Sequence, residues 1–271
     1  MCLHISVGKT VKERHTVLMQ DPASFSSGTV PADSVFVGRD HQLAFLIADA
    51  RRALEEGVRA VLVCGEAGVG KTRLIREYLD LTPLGRSAVG GCLELGADGI
   101  PFAPFSALLR ELSRGTDGAP SPLESGELSR LIPEGGTRPS GGGESRARLF
   151  ESVLTFLEEH TRPRGLTLVI EDLHWADAST RDLLVFLLRS LPDVPLQLLI
   201  SVRTDDLHRT HPLRRLLPEL ERQHRVFRMD LATLSKEEAA AQAAGLRGVG
   251  LDPGDMDLVY ERPGGIPLFV E

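Results

Sequence analysis

Two hydrophobic patterns alternate along the chain from about residue 35 onward. Short, continuous apolar runs, such as AVLVCG at 60–65, are typical of strands that are buried on both faces. Between these runs, apolar residues recur at helical spacing, as in the segment 36–57, which ends at Gly57. Repeated alternation of strand and helix predicts an α/β fold, in which helices cover both faces of a parallel sheet.

The predicted elements cover most of the chain. Strands are predicted at 60–65, 87–95, 166–172, 196–206 and 225–231. Helices are predicted at 36–57, 71–81, 102–114, 128–132, 146–160, 179–191, 212–223, 236–245 and about 254–262. The buried face of the first helix is predicted to comprise Leu43, Leu46, Ile47, Ala50 and Leu54.

Two helix starts carry the pattern of a capping box, in which a hydroxyl and an acid three residues later bond each other's backbone. Ser235 and Glu238 show this pattern before the helix at 236–245, and Ser179 and Asp182 show it before the helix at 179–191. Asp177 is a second candidate cap for the latter helix.

The remaining segments suggest a domain organisation. Residues 1–34 have no sustained period and are rich in Pro, Ser and Gly, which predicts a disordered leader. A core domain is predicted over 35–230, with a loop-rich insertion at about 114–144. Residues 231–271 are predicted to begin a helical lid.

Composition excludes several classes of protein. The 271 residues carry a net charge of −7, which argues against direct DNA binding by this chain. The three cysteines, Cys2, Cys64 and Cys92, form no C-x-x-C pair, which favours a reducing cytoplasm without disulfides or a zinc site. No signal peptide is evident, and charged residues and prolines interrupt the most apolar stretch, so no membrane span is expected.

The segment GEAGVGKT, from Gly65 to Thr72, fits the phosphate-binding pattern G-x-x-x-x-G-K-[ST]. It follows an apolar strand and precedes a helix, which is the context that the pattern requires. Its glycines let backbone N–H groups converge on phosphate oxygens, and the helix start adds a partial positive charge. Lys71 is then expected to reach the β- and γ-phosphates of ATP, and the Thr72 hydroxyl is expected to ligate Mg²⁺.

A phosphate-binding loop of this kind works with an acid at the end of a neighbouring strand. Glu171 and Asp172 end the run LTLVIED, where the buried strand meets solvent. One acid should organise Mg²⁺ and the other should orient or deprotonate the attacking water. Spacing does not decide which acid has which role.

Three further residues are candidates for the site. Arg203 ends the next strand, and it should lie near the γ-phosphate if that strand neighbours the acid-bearing one; an ordinary ion pair is the alternative. Trp175 is interpreted as a packing anchor. His174 is a candidate general base, although a structural role is the simpler interpretation.

Four motifs occur together in this order: FVGRDHQL, GEAGVGKTRL, LVIEDLHWAD and GGIPLFVE. Together they resemble the AAA-16/STAND-type P-loop signalling ATPases, and in particular the N-terminal ATPase of large LuxR-type regulators related to the maltose-regulon activator. The resemblance covers about residues 35–271. Glu171 departs from the Asp-Asp pair that is common in such proteins.

The resemblance implies a P-loop NTPase fold that binds ATP or ADP with Mg²⁺ in the cytoplasm. It implies catalytic roles for Lys71, Glu171, Asp172 and Arg203, and metal binding by Thr72, Glu171 and Asp172. The nucleotide-binding residues that it implies are Phe36, Val37, Gly38 and Arg39, then Gly65, Glu66, Ala67, Gly68, Val69, Gly70, Lys71, Thr72 and Arg73, and finally Pro267 of the GIP element.

Family members continue beyond the lid into a winged helix, a helical sensor region and a DNA-binding helix-turn-helix. Because this chain stops at Glu271, we expect a fragment of a longer regulator that self-associates or contacts its own further domains; a stand-alone ATPase is the alternative. The function predicted first is an ATP-binding switch with weak Mg-dependent ATPase activity. The alternatives are an oligomeric AAA+ mechanical ATPase of the origin-recognition kind, and an interaction domain that nucleotide only stabilises.

Overall fold

The computed structural model describes residues 36–81, 84–94, 100–114, 127–131, 143–162, 164–247, 260 and 265–267. The predicted leader, most of the predicted insertion at 114–144 and most of the predicted last helix lie outside these residues.

The strands are Arg59–Gly65 (β1), Arg86–Gly91 (β2), Leu166–Glu171 (β3), Leu196–Arg203 (β4) and Val226–Asp230 (β5). The α-helices are Asp40–Glu56 (α1), Lys71–Asp80 (α2), Ala103–Ser113 (α3), Gly143–Thr161 (α4), Ala178–Ser190 (α5), Leu213–Glu221 (α6) and Lys236–Arg247 (α7). Short 3₁₀ turns occupy Glu127–Leu131 and Leu173–Trp175.

The five strands form one parallel sheet in the order β2-β3-β4-β1-β5. Strands β1 and β4 lie inside the sheet and are buried on both faces, which explains their mostly hydrophobic runs. One face packs against α1 and α2, and the other packs against α3, α4, α5 and α6. The predicted fold, a parallel sheet with helices on both faces, is therefore confirmed.

The carboxyl ends of β1, β3 and β4 meet at one edge of this sheet. Strand β4 lies between β1 and β3, and its residue Arg203 is in register with Gly65. In open parallel sheets, ligands bind at the carboxyl edge. The topology thus brings the glycine turn, the acid pair and Arg203 to one place.

The buried face of α1 differs in part from the prediction. Leu46, Ala50 and Ala53 are buried, and Leu43 and Ile47 pack beside them. Leu54, which was predicted to be buried, is 49% exposed. The sheet-facing line follows the spacing i, i+4, i+7 from Leu46 to Ala53, and this spacing turns Leu54 toward solvent.

The predicted caps have different outcomes. Ser235 and Glu238 form the expected capping box, with Ser235 N donating to Glu238 Oε2 at 2.8 Å and Glu238 N donating to Ser235 Oγ at 3.2 Å. The box predicted for Ser179 and Asp182 is wrong. Asp177 caps α5 instead, because its carboxylate accepts from the backbone N of Ser179 at 2.8 Å and of Thr180 at 3.1 Å.

Strand β2 is shorter than the predicted segment 87–95. Its pairing with β3 reaches Gly91, and Cys92 N then donates to Glu171 O at 2.9 Å. Because β3 ends at Glu171, the described residues Leu93 and Glu94 have no further residue of β3 to pair with, and Leu95 lies outside the described residues.

Among the helices within the described ranges, none combines the length and apolar character that crossing a bilayer needs.

A buried polar network joins the amino-terminal part of the sheet to α1 and α2. Asp49 accepts from Arg59 Nε at 2.5 Å and from Gln197 Nε2 at 3.0 Å, and Tyr78 donates its hydroxyl hydrogen to Gln197. The Arg59 guanidinium also stacks on the ring of Phe227, at 4.3 Å from its centroid. This network lies beside the apolar core and fixes α1 and α2 against β1 and β4.

Candidate functional site

The glycine turn joins β1 to α2 in a conformation that only some residues adopt easily. Gly68 and Gly70 have φ angles of 74° and 97°, which L side chains rarely take. A Cβ atom added to Gly65 would meet Val69 Cγ1 at 2.8 Å and Leu231 O at 2.9 Å. The glycines at the two ends of the turn are therefore required by backbone conformation and by close packing, as the sequence pattern predicts.

Lys71 opens α2 and points its side chain back into the turn. Its ammonium donates to Gly65 O at 2.9 Å and to Glu66 O at 2.7 Å, and the residue is only 7% exposed. Burial lowers the pKa of Lys71, while the nearby Asp172 carboxylate opposes this effect. The turn thus holds a shielded cation against its backbone carbonyl groups, and a cation at the start of a helix suits the binding of a polyanion.

The two acids lie in different surroundings. Glu171 is the last residue of β3, and its carboxylate accepts a hydrogen bond from the Thr72 side chain. Burial raises the pKa of Glu171, and the hydrogen bond from Thr72 opposes that effect. Asp172 follows the strand with a φ of 56°, and its backbone N donates to Ser201 Oγ at 2.9 Å. The positive φ turns Asp172 away from the course of the strand.

Arg203 is the last residue of β4, and β4 is the neighbour of the acid-bearing strand β3. The predicted position of Arg203 near the γ-phosphate depends on this neighbourhood of the two strands. Its Nε lies 3.6 Å from Asp172 Oδ1. Its guanidinium lies over the Trp175 ring, at 4.8 Å from the ring centroid. Trp175 is half-buried and packs on the main core, in agreement with its interpretation as a packing anchor. The indole thus also supports the arginine.

His174 connects the turn after β3 to the turn after β4. Its Nδ1 accepts from the backbone N of Arg203 at 3.4 Å, and its Nε2 lies 3.3 Å from Asp206 Oδ2. Its carbonyl oxygen lies 3.0 Å from Nε2 of His211. Burial lowers the pKa of His174, whose side chain is 1% exposed. With both ring nitrogens facing protein atoms, this ring is better placed for a structural role than for general-base catalysis.

The FVGR segment, residues 36–39, contacts the glycine turn through Arg39. Arg39 donates to Val69 O at 3.1 Å and to Ala232 O at 2.6 Å, which links the turn to the segment between β5 and α7. A Cβ atom on Gly38 would meet the Glu238 side chain at 2.6 Å. Phe36 packs on the apolar cluster next to α1, and Val37 is half-buried.

The remaining predicted residues also lie at or near the turn. A Cβ atom on Gly70 would lie 3.8 Å from Pro267 Cγ, so the GIP element faces the turn. Glu66 is exposed, while its carbonyl oxygen accepts from Lys71. Arg73 pairs with Glu77 along α2, at 2.6 Å.

One contact was not predicted from the sequence. The backbone N of Ala67 donates to both carboxylate oxygens of Asp205, at 3.2 and 3.3 Å. The sequence predicts a strand end at RTDD, but an acid two positions after Arg203 carries no pattern that assigns it to the turn.

The side chains present fit a nucleotide with Mg²⁺. Mg²⁺ at such sites takes one or two protein ligands and completes its shell with phosphate oxygens and water. Thr72 and Glu171 supply adjacent oxygen atoms, and Asp172 directly follows Glu171 in the chain. Among the described residues, no group of three or more His, Cys, Asp or Glu side chains could hold a metal ion. The donor set therefore suits a nucleotide-bound Mg²⁺ better than a closed protein cage.

Several known proteins are similar to this chain in sequence or in fold. An uncharacterised protein of Rhizobium meliloti (strain 1021) is 27% identical over 237 residues, which is 78% of this chain and 22% of that protein. A protein of Pyrococcus horikoshii has a similar fold, with a TM-score of 0.50 and 18% identity over 89% of this chain. It is a signal transduction ATPase with numerous domains (STAND) that has a tetratricopeptide repeat sensor. A Walker-type ATPase of Pyrococcus abyssi gives a TM-score of 0.47 and 14% identity over 86% of this chain.

This chain spans about a fifth of the length of the Rhizobium relative, 30% of the Pyrococcus horikoshii chain and 65% of the Pyrococcus abyssi chain. The model of the AAA ATPase domain family AAA_16 matches residues 35–202, from the segment before α1 to Val202, one residue before β4 ends at Arg203. This match covers more than half of the chain and includes the glycine turn and the acid pair. The chain therefore belongs to the AAA_16 family of AAA ATPase domains.

Proposed function

We propose that this chain binds ATP with Mg²⁺, hydrolyses it slowly and acts as a nucleotide-dependent switch within a longer cytoplasmic signalling protein. The observation that carries the proposal is the convergence of Lys71, Glu171, Asp172 and Arg203 at the carboxyl edge of one parallel sheet. The resemblance of the four motifs favours a LuxR-type regulator as the longer protein, and the proposal includes self-association or contact with further domains of that protein.

Each side chain has a role that its surroundings support. Lys71 compensates negative charge on the β- and γ-phosphates, and the backbone N–H groups of the turn orient them. Thr72 and Glu171 hold the metal, because their side chains already contact each other. When bound, Mg²⁺ supplies Lewis-acid polarisation of the phosphoryl oxygens. Asp172 orients the attacking water, and Arg203 stabilises charge that develops on the transferred phosphoryl group.

The experiment that tests this function is phosphate release by the purified chain with ATP and Mg²⁺, over a range of protein concentrations and with or without DNA. The switch predicts slow release that is proportional to protein concentration and indifferent to DNA. Release that rises more steeply than protein concentration, or that DNA stimulates, favours a mechanical ATPase. Binding without any release favours an interaction domain that nucleotide stabilises.

Replacing Trp175 with leucine should lower phosphate release about two- to fivefold, because the Arg203 guanidinium loses its aromatic support. The effect should fall mainly on kcat, since Arg203 acts on charge that develops during the reaction. Trp175→Phe keeps an aromatic face and should retain most of the rate. Equal rates for Trp175→Leu and the parent chain would show that the indole serves packing alone.

A further inference from the structure

The turn after β4 is fixed directly against the glycine turn. Thr204 N donates to Gly65 O at 3.2 Å, and the next residue, Asp205, accepts from Ala67 N with both carboxylate oxygens at 3.2 and 3.3 Å. A carboxylate of this chain therefore lies on a backbone N–H group of the loop that is built to bind phosphate.

The negative charge of Asp205 has little compensation. Neighbouring Arg203 lies over Trp175 and beside Asp172 and Asp206, and among the described residues no basic side chain forms an ion pair with Asp205. The cation held in the same turn is Lys71, which donates to Gly65 O and Glu66 O next to Ala67 and which the phosphates also require. Asp205 and a bound nucleotide therefore compete for the same positive charge.

The competition should depend on the number of phosphates. Lys71 is placed to serve the β- and γ-phosphates, so the terminal phosphate of ATP adds negative charge to the turn on which the Asp205 carboxylate already lies. ADP lacks that group and meets less repulsion. Because Asp205 is exposed, solvent screens the repulsion and keeps the effect modest.

We propose that Asp205 is a specificity-determining residue that weakens the binding of nucleoside triphosphates relative to nucleoside diphosphates. This inference rests on the proposed function, because it concerns the same nucleotide site. Asp205 thereby makes the chain bind nucleoside diphosphates in preference to triphosphates. A partner domain or a higher ATP concentration must then overcome this preference before ATP occupies the site.

Asp205→Asn removes the negative charge but keeps the shape of the side chain, and its carboxamide oxygen can still accept the hydrogen bond from Ala67 N. We expect the variant to bind ATP about three- to fivefold more tightly than the parent chain at low salt, and ADP less than about twofold more tightly. The difference should shrink at high salt as the repulsion is screened. The measurement is equilibrium titration of each nucleotide with Mg²⁺ by calorimetry.

Glu159→Gln is the matched control, because it removes one negative charge at an exposed position near the end of α4. Helix α4 leads into the amino end of β3, so Glu159 lies at the opposite edge of the sheet from the glycine turn. This variant should bind both nucleotides as the parent chain does.

The outcomes separate the two proposals. Weaker ATP binding by Asp205→Asn would show that the carboxylate supports the loop. Unchanged binding, or equal tightening for ATP and ADP, would show that Asp205 does not discriminate between the two nucleotides. Each of these results overturns this inference and leaves the proposed function standing. If the parent chain binds neither nucleotide, the proposed function fails and the inference fails with it.

Discussion

Replacing Glu171 with glutamine should lower Mg-dependent phosphate release about a hundredfold while leaving nucleotide bound. Glutamine keeps the shape of the side chain, and its amide oxygen can still accept the hydrogen bond from Thr72. It removes the negative charge that a Mg²⁺ ion needs from the protein side of its shell. The measurement is single-turnover phosphate release beside equilibrium binding of a fluorescent ADP, with Glu159→Gln as the control for loss of one acidic charge.

The companion variant Asp172→Asn distinguishes the roles of the two acids. If Glu171 holds the metal, Glu171→Gln should weaken the dependence of nucleotide affinity on Mg²⁺, whereas Asp172→Asn should keep that dependence and still lose turnover. The reverse pattern would assign the metal to Asp172. Unchanged phosphate release by Glu171→Gln would contradict the proposed metal site altogether.

Replacing Asp49 with alanine should lower the free energy of unfolding by about 3–5 kcal/mol. Asp49 is the buried partner of Arg59, at 2.5 Å, and it also accepts from Gln197. Among the described residues, the counter-charge that the variant leaves to Arg59, which is 6% exposed, is the solvent-facing carboxylate of Glu56 at 2.7 Å. The cost comes mainly from a buried cation that has lost its buried counter-charge. Chemical denaturation followed by circular dichroism measures it.

The double variant Asp49→Leu with Arg59→Met is the informative control. Replacing both members of a buried ion pair with apolar residues of similar size is often neutral or stabilising. We therefore expect the double variant to recover most of the stability that Asp49→Ala loses. A loss of less than about 1 kcal/mol in Asp49→Ala would show that Glu56 and solvent already compensate Arg59.

The sequence predicts the parts of the site that depend on local chemistry. The glycine turn is recognisable because Gly65, Gly70, Lys71 and Thr72 have fixed spacing and each serves the same short loop. The acid pair is recognisable because a buried strand that ends in charge marks the edge of a sheet. Local spacing also identifies the box of Ser235 and Glu238.

The rest depends on contacts between distant segments. Strand β4 inserts between β1 and β3, and no pattern within β4 specifies that order. The contact of Asp205 with Ala67 joins residues 138 positions apart, and that of Asp49 with Gln197 joins residues 148 positions apart. At α5, Asp177 and Ser179 were both plausible caps, and only the backbone geometry of the helix start selects Asp177.

The most direct test of the central claim is equilibrium titration of ATP and ADP with Mg²⁺ into the parent chain and into Lys71→Ala. Arg148→Ala, which removes a largely exposed cation on α4, is the matched control. The proposed site predicts micromolar binding by the parent chain and the control, and binding at least about a hundredfold weaker by Lys71→Ala, because the shielded ammonium is the main positive charge inside the turn. Equal binding by all three proteins would contradict the claim that the turn from Gly65 to Thr72 binds nucleotide phosphates in this chain.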